Sequence, residues 1–289
     1  MAGIIGAVAV SADNSTVKCA KGLKMFVSRG TGEDMGPGVT KAVVDIIADQ
    51  IDGSDIQPIL YPATWENPVY TTSVGNGTRL IRKSITEYAK ACPDSKMAFF
   101  GYSQGAQITT NNFCGMPVVW GLEQGSSATL DAAKVKELVA LTQPLPKEVT
   151  KNVISVVLFG DPSQRNDTSY NRGTWNNTGN GLFYRPDTTA CEALGSRIRA
   201  YCDAGDPFCD VGAVFNASAH GQYVQKYGKE VAQFVVGQYK NGTVSGTTAS
   251  ATASGTSSTP TPTPTNGAVG SRSMSVLPLV GAVLLYISL

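Results

Sequence analysis

The pattern of apolar and polar positions divides the chain into alternating strand-like and helix-like segments. Short apolar runs predict strands at 23–27, 56–63, 96–102, 153–161 and 197–203. Apolar residues at helical spacing predict helices at 39–51, 72–92, 104–113, 131–141 and 220–239. Strands that alternate with helices are typical of an α/β protein in which helices cover both faces of a parallel sheet.

The expected fold is a three-layer α/β/α sandwich around a central, mostly parallel five-stranded sheet. The 289 residues are enough for one such domain with extensions, and we place the domain at 13–243. No internal repeat and no second globular segment is visible in the sequence.

Both ends of the chain carry patterns typical of processing signals. Residues 1–12 form a short apolar run that ends in small residues and predict a signal peptide, although no positive charge precedes the run. Residues 244–265 are rich in Ser, Thr, Pro, Ala and Gly, which is typical of an O-glycosylated stalk.

The last segment, 266–289, predicts a GPI-anchor signal with attachment at Asn266. Small residues are followed there by a polar spacer and by a terminal apolar tail of 14 residues. The alternatives are a tail-anchored helix and a disordered end, but a spanning helix needs about 20 residues.

Charge and cysteine content narrow the class of partner. The formal net charge is +1, so no electrostatic field favours nucleic acid or an anionic membrane surface. A neutral ester or polysaccharide fits such a chain better, and we expect a monomer. With one histidine and no CxxC pair, no metal or cofactor is expected.

Six cysteines and six Asn-x-Ser/Thr sequons together predict disulfides in an oxidising, extracellular compartment. Composition leaves the pairing of the cysteines open. The sequons, which predict N-glycosylation, start at Asn14, Asn76, Asn166, Asn176, Asn216 and Asn241.

A serine between glycines stands where a predicted strand meets a predicted helix. Gly101-Tyr102-Ser103-Gln104-Gly105 matches the Gly-x-Ser-x-Gly pattern of a nucleophilic serine, although a turn serine can match it by chance. The strand-turn-helix context favours the nucleophile, because such a turn exposes the serine Oγ. The next backbone N–H, on Gln104, opens a helix and can help to bind an oxyanion.

A serine nucleophile needs a base, and His220 is the only histidine in the chain. Its place between the last predicted strand and the last helix favours this role over that of a surface histidine. Candidates for the acid between the two are Asp161, Asp187, Asp203, Asp206 and Asp210. Asp206 is favoured because a small ring closed by Cys202 and Cys209 would hold its carboxylate beside the histidine loop. Spacing alone leaves Asp203 and Asp161 as alternatives.

Several stretches resemble the cutinase/acetylxylan esterase family of fungal serine esterases. They are RGTGE, YPAT, CPDSKMAFFGYSQGAQI, FGDP and YCDAGDPFC, with His220 beyond, and they span about 19–239. The resemblance implies a minimal α/β-hydrolase fold with Ser103 as nucleophile, Asp206 as acid and His220 as base. It also implies an oxyanion hole from Thr31 and Gln104, and the disulfides Cys19–Cys92, Cys114–Cys191 and Cys202–Cys209.

Within that family, FGDP, YCDAGDPFC and HGQY are more similar to acetylxylan esterases than to cutinases, which carry apolar residues around the histidine. The resemblance therefore implies a secreted or surface-anchored serine esterase that removes acetyl groups from xylan or a similar polysaccharide. Unlike many such esterases, the chain has no cysteine after YPA and has Asp210 just past the acid loop.

Two other functions stay open: a cutinase-type hydrolase of longer-chain esters, and a non-catalytic cell-wall adhesion protein on the same fold. Trp65 could stack on a sugar ring, but packing in the core is the favoured interpretation.

Overall fold

The helices and strands follow the alternation that the sequence predicts. A computed structural model describes residues 17–116, 132–175, 179–212 and 215–241. The strands are β1 Lys24–Ser28, β2 Asp55–Pro58, β3 Met97–Tyr102, β4 Val153–Phe159, β5 Asn171–Arg172 and β6 Ile198–Tyr201. The helices are α1 Lys41–Ala48, α2 Tyr70–Ala91, α3 Gln104–Cys114, α4 Ala132–Thr142, α5 Lys147–Thr150, α6 Thr189–Glu192 and α7 Tyr223–Asn241. Short 3-10 segments cover Gly38–Thr40, Gly195–Arg197 and Ala217–Gly221.

Several predictions concern residues outside these ranges. They are the leader 1–12, the stalk 244–265, the anchor signal 266–289 with Asn266, and the sequons at Asn14 and Asn176. Among the described helices, none combines the length and apolarity that crossing a membrane requires.

Within the described residues, one sheet joins six strands in the order β2-β1-β3-β4-β6-β5, and all neighbouring pairs are parallel. The expectation of five strands was wrong because β5 has only two residues, Asn171 and Arg172, and carries no apolar run. Main-chain hydrogen bonds place it at the sheet edge, including one from the Cys202 N–H to the Arg172 carbonyl at 2.9 Å. Period-two patterning cannot detect so short a strand.

Two elements have different bounds from those predicted: one strand ends earlier and one helix begins later. Both differences bear on the site. The second predicted strand, 56–63, leaves the sheet after Pro58, and residues 59–63 continue as a loop. The last predicted helix, 220–239, begins only at Tyr223, so His220 lies in the preceding 3-10 segment.

The core lies on both faces of the sheet, as expected for three layers. Phe99 of β3 packs against residues of α2 and α3, including Ile81 and Ile108. The next residue, Phe100, points to the opposite face and joins a second cluster with residues of α1 and α7. This alternation along a strand buries both faces of the sheet and explains why the strands read as continuously apolar.

The structure contains three disulfides, two of which join distant parts of the chain, and they are the pairs that the resemblance implies. Cys19–Cys92 ties the segment before β1 to the end of α2, with the Cα atoms 5.5 Å apart. Cys114–Cys191 ties the end of α3 to α6, and Cys202–Cys209 closes a small ring after β6. Trp65 packs against the core with its ring 4.8 Å from that of Tyr70, which agrees with the packing interpretation.

Helix α3 approaches strand β1 so closely that one position admits no side chain. A Cβ added at Gly105 would lie 2.0 Å from the Ser28 carbonyl oxygen and 2.4 Å from that of Arg29. Both atoms belong to the backbone, so rotation of a side chain cannot relieve the contact. The second glycine of Gly-x-Ser-x-Gly is therefore required for the helix to lie where it does.

We expect Gly105→Ala to lower the free energy of unfolding by about 3 kcal/mol or more, because it forces backbone apart in a packed core. Gly237→Ala in α7 is the matched control, since an added Cβ there meets no described atom within 4 Å. That change should raise stability by about 0.5–1 kcal/mol, as alanine is the better helix former. Urea unfolding of the two variants would contradict this packing argument if Gly105→Ala were as stable as the unmodified protein.

Candidate active site

Ser103 occupies a strained turn between β3 and α3. Its backbone has φ 54° and ψ −122°, a conformation that residues other than glycine rarely adopt. The Ser103 N–H donates to the Phe159 carbonyl of β4 at 2.8 Å, which fixes the turn to the neighbouring strand. Such a turn lifts the serine side chain above the carboxyl edge of the sheet.

His220 is the partner of this serine. Its Nε2 lies 2.9 Å from Ser103 Oγ, and its Nδ1 lies 2.8 Å from Asp206 Oδ2. The ring is flanked by Phe208 and Tyr102, whose centroids lie 4.4 and 5.2 Å from its own, and its side chain is only 13% exposed. Gly160 makes room for the ring, because a Cβ there would lie 2.8 Å from two of its atoms.

The contacts of His220 define which nitrogen carries the proton. An ionised carboxylate can only accept hydrogen bonds, so Nδ1 facing Asp206 must be the protonated nitrogen of the neutral ring. Nε2 then carries a lone pair and accepts the hydrogen of the Ser103 hydroxyl. This is the tautomer that allows an imidazole to remove a proton from serine.

Asp206 is completely buried, and its carboxylate is fully engaged. Oδ1 accepts the backbone N–H of Phe208 at 2.8 Å, while Oδ2 accepts the Tyr223 hydroxyl at 2.5 Å as well as His220. Burial by itself raises the pKa of this carboxyl, but the hydrogen bonds from His220, Tyr223 and Phe208 together hold the pKa below its usual value. The group is therefore a carboxylate at neutral pH.

The other candidate acids face different partners. The Asp203 carboxylate accepts hydrogen bonds from Thr174, Lys226 and Tyr227. The Asp161 carboxylate accepts the Thr110 hydroxyl at 2.5 Å and the Ser163 N–H at 2.8 Å. Asp187 accepts the Thr189 N–H, and Asp210 accepts the Gly205 N–H. Of these five aspartates, Asp206 is the one that is hydrogen-bonded to His220.

Tyr223 is a residue of this site that the sequence analysis missed. Besides donating to Asp206, its oxygen accepts the Asp203 N–H at 3.0 Å. Burial and the nearby Asp206 carboxylate raise the pKa of this phenol far above its usual value, so it stays a donor. A signal was available, because a tyrosine three residues after His220, at the start of a helix, points toward the same loop.

The loop that carries Thr31 runs beside the serine. A Cβ added at Gly30 would lie 3.3 Å from the Cβ of Ser103. Glu33 shapes this loop, because its carboxylate accepts the N–H groups of Gly30 at 2.5 Å and Val39 at 2.7 Å. Glu33 was also missed by the sequence analysis, although it stands within the RGTGE stretch.

Gln104 meets the same loop from the other side. As the first residue of α3, it has a backbone N–H without an intrahelical acceptor, which is suited to an anion. Its buried side-chain Nε2 lies 3.2 Å from Thr31 Oγ1. The structure therefore brings Thr31 and Gln104 together beside Ser103.

The remaining predicted positions lie outside this cluster. Asn216 and Asn241 are exposed, Asn166 is half-buried, and Asn76 lies half-buried within α2 beside the fully buried Thr78. Within the described residues, no group of three or more His, Cys, Asp or Glu side chains could hold a metal ion.

Comparison with known proteins identifies relatives over most of the described part of the chain. The sequence model of the cutinase family matches residues 19–239. An acetylxylan esterase of Hypocrea jecorina is 31% identical over 225 residues, which cover 76% of this chain and 68% of that protein. Cutinase 11 of Verticillium dahliae is 31% identical over 231 residues, which cover 78% of this chain and 72% of that protein. A solved acetylxylan esterase structure at 0.90 Å superposes with a TM-score of 0.62 at 28% identity, covering 77% of this chain and all of that one.

Because the chain has one histidine, nitrogen NMR can report its tautomer without assignment of other residues. We expect the neutral ring to carry its proton on Nδ1, and Asp206→Asn to shift the population toward the Nε2–H form, because an amide can also donate. Asp203→Asn is the matched control, since that carboxylate does not contact His220, and it should leave the tautomer unchanged. A dominant Nε2–H form in the unmodified protein would contradict the hydrogen-bonded arrangement.

Proposed function

The chain belongs to the cutinase family and is a serine carboxylic ester hydrolase, and we propose that Ser103, His220 and Asp206 are its catalytic triad. The observation that supports this assignment is the continuous row of hydrogen bonds, with Ser103 Oγ 2.9 Å from Nε2 and Nδ1 2.8 Å from Asp206. These distances are within the range in which a base can take a proton from a nucleophile.

In the proposed reaction, Ser103 Oγ attacks the ester carbonyl carbon while its proton passes to His220 Nε2. The positive charge on the imidazole is stabilised by the buried Asp206 carboxylate. Tyr223 and the Phe208 N–H hold that carboxylate in place, so the ring does not have to reorient during the transfer.

The carbonyl oxygen becomes an oxyanion in this step, and Gln104 and Thr31 are its proposed donors. A backbone N–H at a helix start is already aligned, so binding the charge costs little reorganisation. His220 then gives its proton to the leaving alcohol, which leaves an acyl group on Ser103. Water, activated by the same imidazole, hydrolyses this acyl-enzyme and restores the serine.

We propose an acetyl ester of xylan or a similar polysaccharide as the substrate. The similarity to proteins named acetylxylan esterase supports this choice, as does the match of the FGDP, YCDAGDPFC and HGQY stretches to that branch. On this proposal the acyl side of the site needs to hold only a methyl group, and the alcohol side faces a sugar chain.

A second candidate, hydrolysis of longer-chain esters of the cutin type, is favoured by exposed apolar side chains near the base. Leu182 is 42% exposed, and its N–H binds the carbonyl of Phe208, the residue that packs on His220. Val211 and Phe215, which lie between Asp206 and His220 along the chain, are 42% and 66% exposed. A non-catalytic adhesion role finds no such support, because the hydrogen-bonded row is complete.

We further propose an extracellular protein consisting of the domain 13–243, a glycosylated stalk and a GPI anchor attached at Asn266. The three disulfides support an oxidising compartment. Of the four sequons within the described residues, those at the exposed Asn216 and Asn241 are the most accessible to a glycan.

We expect the purified protein to hydrolyse p-nitrophenyl acetate faster than octanoate or palmitate esters and to release acetate from acetylated xylan. Ser103→Ala should lower kcat by at least about 10³-fold, because the nucleophile is lost. Ser196→Ala, an exposed serine in the 3-10 segment Gly195–Arg197, is the control and should keep full activity, because it lies outside the triad and outside every sequon.

Full turnover by Ser103→Ala would contradict the assignment of the nucleophile. A strong preference for the long-chain esters, abolished by Ser103→Ala, would keep the triad but favour the cutin-type substrate. Kinetic constants across the ester series therefore separate the site from the substrate.

A further inference from the structure

The side chain of Gln104 contacts both loops that border Ser103, and the backbone role proposed for this residue does not require it. The carboxamide is completely buried. Its Nε2 donates to the Thr64 carbonyl at 3.0 Å and to Thr31 Oγ1 at 3.2 Å. Its Oε1 accepts the Ser73 hydroxyl at 2.7 Å. A backbone donor alone would not need a buried amide with every hydrogen engaged.

The surroundings allow only one orientation of this amide. A carbonyl oxygen accepts and never donates, so the amide atom facing the Thr64 carbonyl must be the nitrogen. With the nitrogen fixed on that side, Oε1 faces Ser73 and accepts its hydroxyl hydrogen, while Ser73 Oγ accepts the Thr64 N–H at 3.2 Å. A flipped amide would break the bond to Thr64 and place two acceptors, Oε1 and the Thr64 carbonyl oxygen, against each other.

This fixed orientation determines what the Thr31 hydroxyl can do. Because Nε2 has hydrogens and no free lone pair, Thr31 Oγ1 is the acceptor in their contact. Within the described residues, the Thr31 hydroxyl donates to no protein atom. Its hydrogen is therefore available to a substrate oxygen beside Ser103.

The segment that orients the amide is itself held under strain. Ala63, next to Thr64, has φ 53°, and its carbonyl accepts the N–H of Gly32 at 2.9 Å. The Thr64 hydroxyl donates to the Pro68 carbonyl at 2.6 Å. Both loops around the serine are thus joined through Gln104, and an unfavourable backbone conformation persists only where the surroundings impose it.

We propose that the Gln104 carboxamide is a positioning group that commits the Thr31 hydroxyl to donate to the oxyanion of the ester under attack. This inference rests on the proposed esterase function and extends it to one interaction. By occupying a lone pair of Thr31 Oγ1, the amide leaves the oxygen's hydrogen directed toward the substrate, where it matters most in the transition state.

A double-mutant cycle on p-nitrophenyl acetate tests the coupling, with Thr31→Val and Gln104→Met as the single changes. Thr31→Val removes one donor and should lower kcat by about 100-fold with little change in KM. Gln104→Met keeps the volume and the backbone N–H but loses the amide, and it should lower kcat by roughly tenfold or more. In the double variant, Gln104→Met should add little to the loss from Thr31→Val, because the group through which it acts is already absent.

Gln107→Met is the matched control for a merely structural effect. Gln107 lies on the same helix, is buried, and receives the Tyr70 hydroxyl at 2.8 Å. In thermal unfolding, Gln107→Met should destabilise the fold about as much as Gln104→Met does, while kcat is retained. Losses that multiply in the double variant, or a Gln104→Met enzyme with unchanged kcat, would overturn the inference.

Failure of this positioning role can be distinguished from failure of the proposed esterase function. If Ser103→Ala stayed active, the triad assignment would fail, whatever the cycle showed. If Ser103→Ala were inactive and the losses at Gln104 and Thr31 were independent, the esterase would stand and only the positioning role would fall.

Discussion

The backbone of Ser103 is the constraint on which the site depends. A φ of 54° and ψ of −122° at a residue with a Cβ costs on the order of 1–3 kcal/mol, and the surrounding packing must hold it in place. The fit of Gly105 against the backbone of β1 and the bond from the Ser103 N–H to Phe159 do so. Because of this turn, the serine Oγ faces His220, and the next residue, Gln104, begins α3 with its side chain against the Thr31 loop.

The carboxyl edge of the parallel sheet brings the other groups to this serine. The loop after β1 carries Thr31, the loop after β6 carries Asp206, and the segment before α7 carries His220. The negative charge of Asp206 is buried, but hydrogen bonds compensate for its lost hydration. The carboxylate has no exposed surface, and it accepts hydrogen bonds from a ring nitrogen, a phenol and backbone N–H groups. A buried carboxylate without such partners would take up a proton and could not stabilise an imidazolium.

Much of this arrangement could be predicted from the chain because it depends on local pattern. The strand order along the sequence, the strand-turn-helix setting of Ser103 and the uniqueness of His220 need no knowledge of tertiary contacts. Asp206 needed more, since several aspartates precede the histidine and only the fold decides which carboxylate faces it. Strand β5 was missed because two polar residues carry no periodicity.

The groups that hold the site together were the hardest to predict. Tyr223 contacts a residue 17 positions away along the chain, the side chain of Gln104 contacts one 73 positions away, and Glu33 binds across a turn. Residue type alone does not indicate such contacts. Polar side chains of this kind are usually exposed, and their burial here follows from loops that meet only in the folded protein.

The most direct measurement is a crystal structure of the protein after reaction with a dialkyl p-nitrophenyl phosphate, whose product imitates the tetrahedral intermediate. We expect a covalent bond at Ser103 Oγ, with the phosphoryl oxygen within hydrogen-bonding distance of the Gln104 N–H and the Thr31 hydroxyl. A phosphoryl oxygen turned away from both donors, or an adduct on another residue with Ser103 unmodified, would contradict this expectation.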